Sequence, residues 1–265
     1  MENKVINRES SATKIFDDRS LAVDYRTLVP FLKKDLRILD VGCGTGSITK
    51  DIADLTGPRG RVTGIDNTEK FITAGKLQFS NIKNLELICT DLFRYETDDK
   101  FDLIVSARTM QWLSNVSEAL IKMKSMLKPG GTLSVLDYNH TKADWQPEPP
   151  ASMRKFYEAF LKWREDAGMN NHVADDLPGL FNEAGFTGIQ VFNSDEHYRR
   201  SDENFPFRAA IWSKVAELKQ IAEEGYVTEE ERLKAIADYN TWIAGEGRSV
   251  TMKLNEIRGI KGIIS

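Results

Sequence analysis

The chain of 265 residues is 41% hydrophobic and 29% charged, as in ordinary globular proteins, which excludes a mainly disordered or fibrous chain. Its 36 lysines and arginines against 40 acidic residues leave a formal net charge of −4, which disfavours nucleic acid as a partner. Two cysteines, a start unlike a signal peptide and no apolar run of about 18 residues predict a cytoplasmic protein without disulfide framework, metal site or membrane partner.

The first segment, residues 1–34, carries spaced apolar positions and is predicted to form a helical N-terminal lid. Residues 35–140 alternate short runs rich in β-branched residues with longer amphipathic runs, which predicts a mostly parallel sheet covered by helices. We expect strands at 36–41, 61–65, 85–89, 101–106 and 132–138, and helices at 47–55, 69–79 and 116–127. Asn115 is the expected N-cap of the last helix, with Glu118 three residues further on. The helix is expected to end before residues 128–131, which contain a proline and two glycines.

The remainder of the chain adds helices around this core. Residues 141–175 contain three prolines and then an aromatic helix, and are predicted to be an inserted lid. Residues 176–200 are predicted to supply a core helix and a strand near 189–192. A helical insertion follows at 201–247, with helices at 209–223 and 229–244, the second opened by a capping box of Thr228 and Glu231. Residues 248–265 hold the last strand, expected at 250–257, and a tail.

A glycine-rich loop follows the first predicted strand and is the most informative segment of the chain. Gly42, Gly44 and Gly46 allow a tight turn and let a ligand approach the backbone at the start of a helix. Asp40 lies two residues before the first glycine, where a dinucleotide would place its phosphates. Like charges about 4 Å apart repel by roughly 4 kcal/mol at an intermediate dielectric. A cationic ligand without phosphate is therefore favoured, and S-adenosylmethionine, with its sulfonium and ammonium groups, is such a ligand.

Two further acids follow successive strands, and ligands in open α/β sheets bind at the carboxyl ends of the strands. Asp66 closes the second strand, where it is placed to accept hydrogen bonds from both ribose hydroxyls. Asp91 follows the third strand, where it is placed to accept from the adenine amino group while Leu92 packs near the ring. Three acids at successive strand ends predict a site for a cationic nucleoside.

The chain resembles class I S-adenosylmethionine-dependent methyltransferases of the small-molecule kind, the methyltransferase type 11 group. The motifs that carry this resemblance lie at residues 38–46, 64–66, 90–92, 101–106 and 127–133. The resemblance implies a Rossmann-like seven-stranded, mostly parallel sheet with an antiparallel last strand and helical lid insertions. It also implies the cofactor-binding residues: Asp40, Gly42, Cys43, Gly44, Gly46, Asp66, Asn67, Asp91, Leu92, Arg108 and Gln111. Asn67 departs from a second acid that some members carry at this position.

Methyl transfer from a sulfonium mainly requires that the acceptor atom be held in line, close to the methyl carbon and away from water. A general base is needed only when the acceptor is protonated, and His140 after the fifth strand is the candidate. Arg108 is a candidate to orient an acceptor carboxylate. Tyr25, Trp112, Tyr157 and Phe160 are the candidate walls of the acceptor pocket, although packing of the lid against the core is the more common role of such aromatic residues.

The sequence therefore predicts a methyltransferase that acts on an O, N, S or C atom of a small metabolite by in-line displacement. Two alternatives stay open, a nicotinamide-dependent oxidoreductase and a non-catalytic S-adenosylmethionine-binding module. Neither the acceptor nor the oligomeric state follows from the sequence.

Overall fold

Eight strands form one sheet in the computed structural model, which describes Lys4 and residues 18–263. The strands are β1 (Arg37–Val41), β2 (Arg61–Asp66), β3 (Leu85–Cys89), β4 (Phe101–Ala107), β5 (Leu127–Gln146), β6 (Phe186–Asn193), β7 (Glu196–Arg199) and β8 (Ser249–Lys261). Their order is β3-β2-β1-β4-β5-β8-β6, with β7 paired to the other end of β8. In this sheet β8 alone runs against its neighbours, so the predicted antiparallel last strand is confirmed.

Helices lie on both faces of the sheet and follow the predicted alternation within its first half. They are α1 (Leu21–Asp24), α2 (Ser47–Thr56), α3 (Glu69–Gln78), α4 (Val116–Met126), α5 (Ala151–Asp166), α6 (Val173–Glu183), α7 (Phe205–Ala209), α8 (Ile211–Ala216), α9 (Gln220–Glu223) and α10 (Glu229–Ala244). The capping box of α10 is confirmed, since Thr228 and Glu231 each bond the other's backbone N–H. Asn115 does precede α4, but its side-chain amide donates to Glu118 and caps no backbone group. Each helix between residues 18 and 263 is too short or too polar to span a lipid bilayer.

The N-terminal helical segment predicted at residues 1–34 falls largely on residues 1–3 and 5–17, which lie outside the described residues. Its described part contains α1 and a 3₁₀ helix at Arg26–Phe31. The single helix predicted at 209–223 is wrong, because the chain bends there into α7, α8 and α9. These bends bring Ala209, Trp212 and Ile221 into one buried cluster. Helix α6 begins at Val173, so the boundary drawn between 175 and 176 falls inside a helix.

Strand β5 is much longer than the predicted 132–138. Its second half, Asp144–Gln146, pairs with Ser249–Thr251 of β8, and this distant partner explains why a segment expected to be a loop is extended. The ladder is interrupted between Asn139 and Asp144, and there the backbone N–H of His140 donates to the carbonyl of Asn171 at 2.7 Å. The interruption frees His140 from the sheet and holds it against the segment that follows α5.

Two buried clusters cover the two faces of the sheet. One contains residues of the N-terminal segment, α2 and the inserted helices, including Tyr25, Phe160 and Trp212. The other contains residues of α4 and α6, including Met123 and Phe181. Burial of such side chains contributes roughly 1.5–3 kcal/mol each. The inserted helices therefore share one core with the first half of the sheet.

Candidate active site

The glycine loop leaves β1 in a conformation that other residues adopt rarely. Gly42, Gly44 and Gly46 have φ angles of 75°, 58° and 84°. A Cβ atom on Gly42 would lie 2.1 Å from the Oγ1 atom of Thr109, so this position also requires glycine for space. Gly46 directly precedes α2, and the first N–H groups of that helix face the loop. The loop is therefore a tight cradle of backbone, closed on one side by the segment after β4, and its Gly42 and Cys43 amides are held by the carbonyl of Ile65.

Two acids lie at the carboxyl ends of β1 and β2, beside this cradle. Asp66 accepts hydrogen bonds from the backbone N–H groups of Gly44 at 3.0 Å and Thr68 at 2.9 Å. Asp40 is 4% exposed and accepts a hydrogen bond of 2.6 Å from the Oγ1 atom of Thr49. Burial raises the pKa of Asp40 to about 6, and the charge of Asp66 adds to this rise.

Neither Asp40 nor Asp66 forms an ion pair with any residue in the described part of the chain. A buried carboxylate without a cation is costly, and a ligand that brings positive charge relieves that cost. The sulfonium and ammonium groups of S-adenosylmethionine match this requirement, whereas a diphosphate would add like charge. The residues present therefore fit the cofactor that the sequence predicts.

The other predicted cofactor residues lie along the same edge of the sheet. Asp91 follows β3, and its Oδ1 atom accepts from the backbone N–H of Phe93 at 2.8 Å. Leu92 is buried in the cluster on the α4 side of the sheet, and Asn67 is exposed after β2. Burial raises the pKa of the Cys43 thiol above its usual range, so this cysteine is a protonated part of the loop wall.

Arg108, at the end of β4, is bound by residues of two other strands. It has a φ of 58°, and its Nε atom donates to the hydroxyl of Tyr138 at 2.8 Å. Its Nη2 atom donates to Glu196 in an ion pair that is buried on both sides. Burial alone would lower the pKa of Arg108, but Tyr138 and Glu196 raise it above the usual value, so the guanidinium is permanently charged. The sequence did not predict β7, and therefore missed Glu196 as this partner.

Gln111 and His140 form a hydrogen-bonded pair in the interior. The Nε2 atom of Gln111 donates to the carbonyl of Arg108 at 3.1 Å, so its Oε1 atom faces His140 Nε2 at 2.6 Å. His140 therefore carries its proton on Nε2, and its buried Nδ1 atom has no hydrogen-bond partner. Burial and the charge of Arg164 lower the pKa of His140 well below its usual value. A neutral imidazole of this kind accepts a hydrogen bond readily and takes up a full proton poorly.

Aromatic side chains enclose this pair. The hydroxyl of Tyr157 donates to the carbonyl of His140, and the ring of Phe160 lies edge-on to the imidazole at 5.7 Å. Trp112 and Phe160 contact the guanidinium of Arg164 at 5.0 and 5.3 Å. The structure thus brings together three of the four predicted wall residues.

The fourth, Tyr25, lies apart from them: its hydroxyl pairs at 2.8 Å with Ser134, in the middle of β5. Two residues of this region were missed by the sequence analysis, Arg164 and Trp212. Arg164 stands four residues after Phe160 on the same helix, and that spacing was a usable signal. Trp212 had no comparable signal.

A family model for a methyltransferase domain matches residues 32–223. A demethylmenaquinone methyltransferase of Staphylococcus aureus is 27% identical over 179 residues, which are 60% of this chain and 71% of the relative. Among solved structures, phosphoethanolamine N-methyltransferase 2 of Haemonchus contortus, in complex with phosphomonomethylethanolamine and S-adenosylhomocysteine, has a TM-score of 0.57 at 15% identity. The match covers 89% of this chain and 52% of that one, so this chain spans about half the length of that protein. A SAM-dependent methyltransferase of Aquifex aeolicus has a TM-score of 0.52 at 23% identity, covering 70% of this chain and 91% of that one.

Proposed function

This chain belongs to the methyltransferase-domain family, and we propose that it transfers the methyl group of S-adenosylmethionine to a small-molecule acceptor held at the carboxyl ends of β4 and β5. The observation that carries this proposal is the pair of acids, Asp40 and Asp66, that border the glycine loop without a cationic partner among the described residues. Such a site selects a cationic nucleoside, as the sequence predicted from the strand ends.

When bound, S-adenosylmethionine would supply a methyl group on its sulfonium. An O, N, S or C atom of the acceptor would take that methyl group by in-line displacement. The loop of Gly42, Gly44 and Gly46 would lie under the methionine part, Asp66 would bind the ribose, and Asp91 would bind the adenine. Thr109 connects this loop to the acceptor side, since its Oγ1 atom donates to the carbonyl of Val41 at 3.3 Å. Gln111 follows Thr109 by two residues, and the acceptor would lie beside Gln111.

Three groups on the acceptor side have separate tasks under this proposal. Trp112, Tyr157 and Phe160 exclude water, which strengthens every polar interaction between them. His140 accepts a hydrogen bond from the acceptor through Nδ1, because its low pKa suits it to orientation better than to proton removal. Arg108, held by Glu196, contributes a fixed positive charge near the reaction centre.

Cofactor titration by calorimetry tests the proposal. We expect S-adenosylmethionine to bind and NADH not to bind, and we expect S-adenosylhomocysteine to form when a pool of small metabolites is added. Asp66→Ala should remove binding, whereas Asn67→Ala, a change at the exposed neighbouring residue, should leave it close to wild type. NADH binding in the absence of S-adenosylmethionine binding would refute the assignment of the loop.

A further inference from the structure

Unpartnered polar atoms gather around one aromatic ring of the acceptor side. Among the residues that the structure describes, six buried side-chain polar atoms have no hydrogen-bond partner, and three of them surround Phe160. These are Nδ1 of His140, Nη1 of Arg164 and Nε1 of Trp212. Their side chains lie 5.7, 5.3 and 6.0 Å from the Phe160 ring, measured from ring centroid or guanidinium carbon. Native interiors hold few such atoms, so three in one place point to a common cause.

Of these three side chains, Arg164 is the one that carries a charge, so its unpartnered atom is the most costly to bury. It is 0% exposed, and its Nη2 and Nε atoms donate to Gln111 O and Asn171 Oδ1, each at 2.7 Å. No carboxylate of the described residues lies within ion-pair distance of it, and the charge of the buried Asp137 acts on it only from beyond that distance. Burial lowers its pKa to about 10, which leaves it charged at neutral pH. The region therefore contains a buried positive charge with a spare N–H group.

Trp212 offers a second donor beside the ring of Phe160. It is 1% exposed, its ring centroid lies 5.9 Å from that of His140, and its indole N–H is unpartnered. The two spare donors and the lone pair on His140 Nδ1 complement a group with acceptor oxygens and an adjacent O–H or N–H.

A surface cleft lies beside this region. Tyr138, which stacks on His140 at 5.3 Å, also lines this cleft, as does Ile211, the neighbour of Trp212 in the sequence. The charged residues of the cleft are of both signs: Asp18, Asp24, Glu196, Arg19, Arg208 and Lys214. Within the cleft, Asp24 pairs with Arg208 at 2.9 Å, and Glu196 pairs with the buried Arg108. These pairs neutralise two of the acids, so the cleft does not repel an anion.

We propose that the methyl acceptor is a small carboxylate, and that its carboxylate binds to Arg164 Nη1 and Trp212 Nε1 beside Phe160. This inference rests on the proposed function and names the acceptor class of the same site. A carboxylate brings one negative charge and planar oxygens, which suits a single guanidinium with an indole N–H. A phosphate dianion would leave a second charge uncompensated among aromatic rings.

Matched ligands and matched tryptophan variants test the proposal. Phenylacetate, 3-phenylpropionate and hexanoate, each beside its carboxamide, are titrated into the complex with S-adenosylhomocysteine. Trp212→Phe keeps the ring and removes the donor. Trp242→Phe is the control, because the Nε1 atom of Trp242 is also buried and unpartnered but its ring stacks on Tyr239 at 5.3 Å. Trp212→Phe avoids the folding risk of a change at Arg164.

We expect at least one carboxylate to bind, its carboxamide to bind at least 10-fold more weakly, and Trp212→Phe to weaken the carboxylate about 10-fold. Trp242→Phe should bind like wild type. The proposal is overturned if no carboxylate binds, if carboxamides bind equally well, or if both tryptophan variants behave alike. The affinity for S-adenosylmethionine is measured in every variant. If the wild type does not bind S-adenosylmethionine, the proposed function is refuted. If it binds S-adenosylmethionine normally but gives any of the overturning outcomes, only the proposal of a carboxylate acceptor is refuted.

Discussion

Replacing Asp40 with asparagine should stabilise the ligand-free protein at neutral pH. The pKa of Asp40 rises from 3.8 to about 6 on folding because its carboxyl group is buried. A difference of about 2.2 at 1.36 kcal/mol per pKa unit means that ionised Asp40 costs about 3 kcal/mol of folding free energy. Asparagine removes this cost, and its side-chain oxygen still accepts the hydrogen bond from Thr49.

The gain in stability from Asp40→Asn should increase as the pH rises. A carboxyl group with a raised folded pKa favours the folded state at low pH, and this contribution is lost between about pH 4 and pH 6. The difference between Asp40→Asn and wild type should therefore be about 1.6 kcal/mol at pH 5 and about 3 kcal/mol at pH 7.5. Asp137 also has a pKa of about 6, but it is present in both proteins and its effect cancels.

Urea unfolding of the ligand-free proteins at pH 5, 6 and 7.5 measures this difference. Asp98→Asn, at an exposed acid, is the control and should change the free energy of unfolding little at any of these pH values. The same Asp40→Asn variant should bind S-adenosylmethionine at least 10-fold more weakly, because under the proposed function Asp40 lies beside the cationic part of the cofactor. A stability difference that does not vary with pH, or a loss of stability at pH 7.5, would refute the view of Asp40 as a buried carboxylate without a counter-ion.

Three more changes test the remaining parts of the site. Asp66→Ala should abolish S-adenosylmethionine binding in calorimetry, because both the ribose acceptor and the hydrogen bond to the loop amide are lost; binding within twofold of wild type would contradict this. His140→Ala should slow formation of S-adenosylhomocysteine at least 10-fold and leave cofactor affinity intact, and an unchanged rate would make His140 a packing residue only. Glu196→Gln should lower the free energy of unfolding by about 3 kcal/mol, since the charge of Arg108 is left buried without its partner; an unchanged urea midpoint would show that Arg108 does not depend on this pair.

Family membership excludes one of the two alternatives that the sequence left open. A methyltransferase-domain match over residues 32–223 excludes the nicotinamide-dependent oxidoreductase, in agreement with the charge of Asp40. It leaves the acceptor open, because one fold supports many chemistries and the acceptor is recognised by side chains added to it. In this chain we propose that those side chains come from the second half of β5, from α5 and from α8.

The sequence by itself determined the features that depend on neighbouring residues. Alternating strand and helix patterns placed β1 to β4, α2 to α4 and α10 within one or two residues of their observed bounds. The glycine loop and the acids at the strand ends were visible for the same reason, since strand, turn and helix are contiguous.

The tertiary structure decided what depends on distant residues. Only β8, more than 100 residues away, extends β5 past Asn139, and only β7 supplies Glu196 to Arg108 across 88 positions. Likewise, His140, Arg164 and Trp212 meet around Phe160 because separate elements pack together there. The local propensity of a segment cannot predict these long-range contacts, because the free energy that favours them comes from burial and pairing between segments that are remote in the chain.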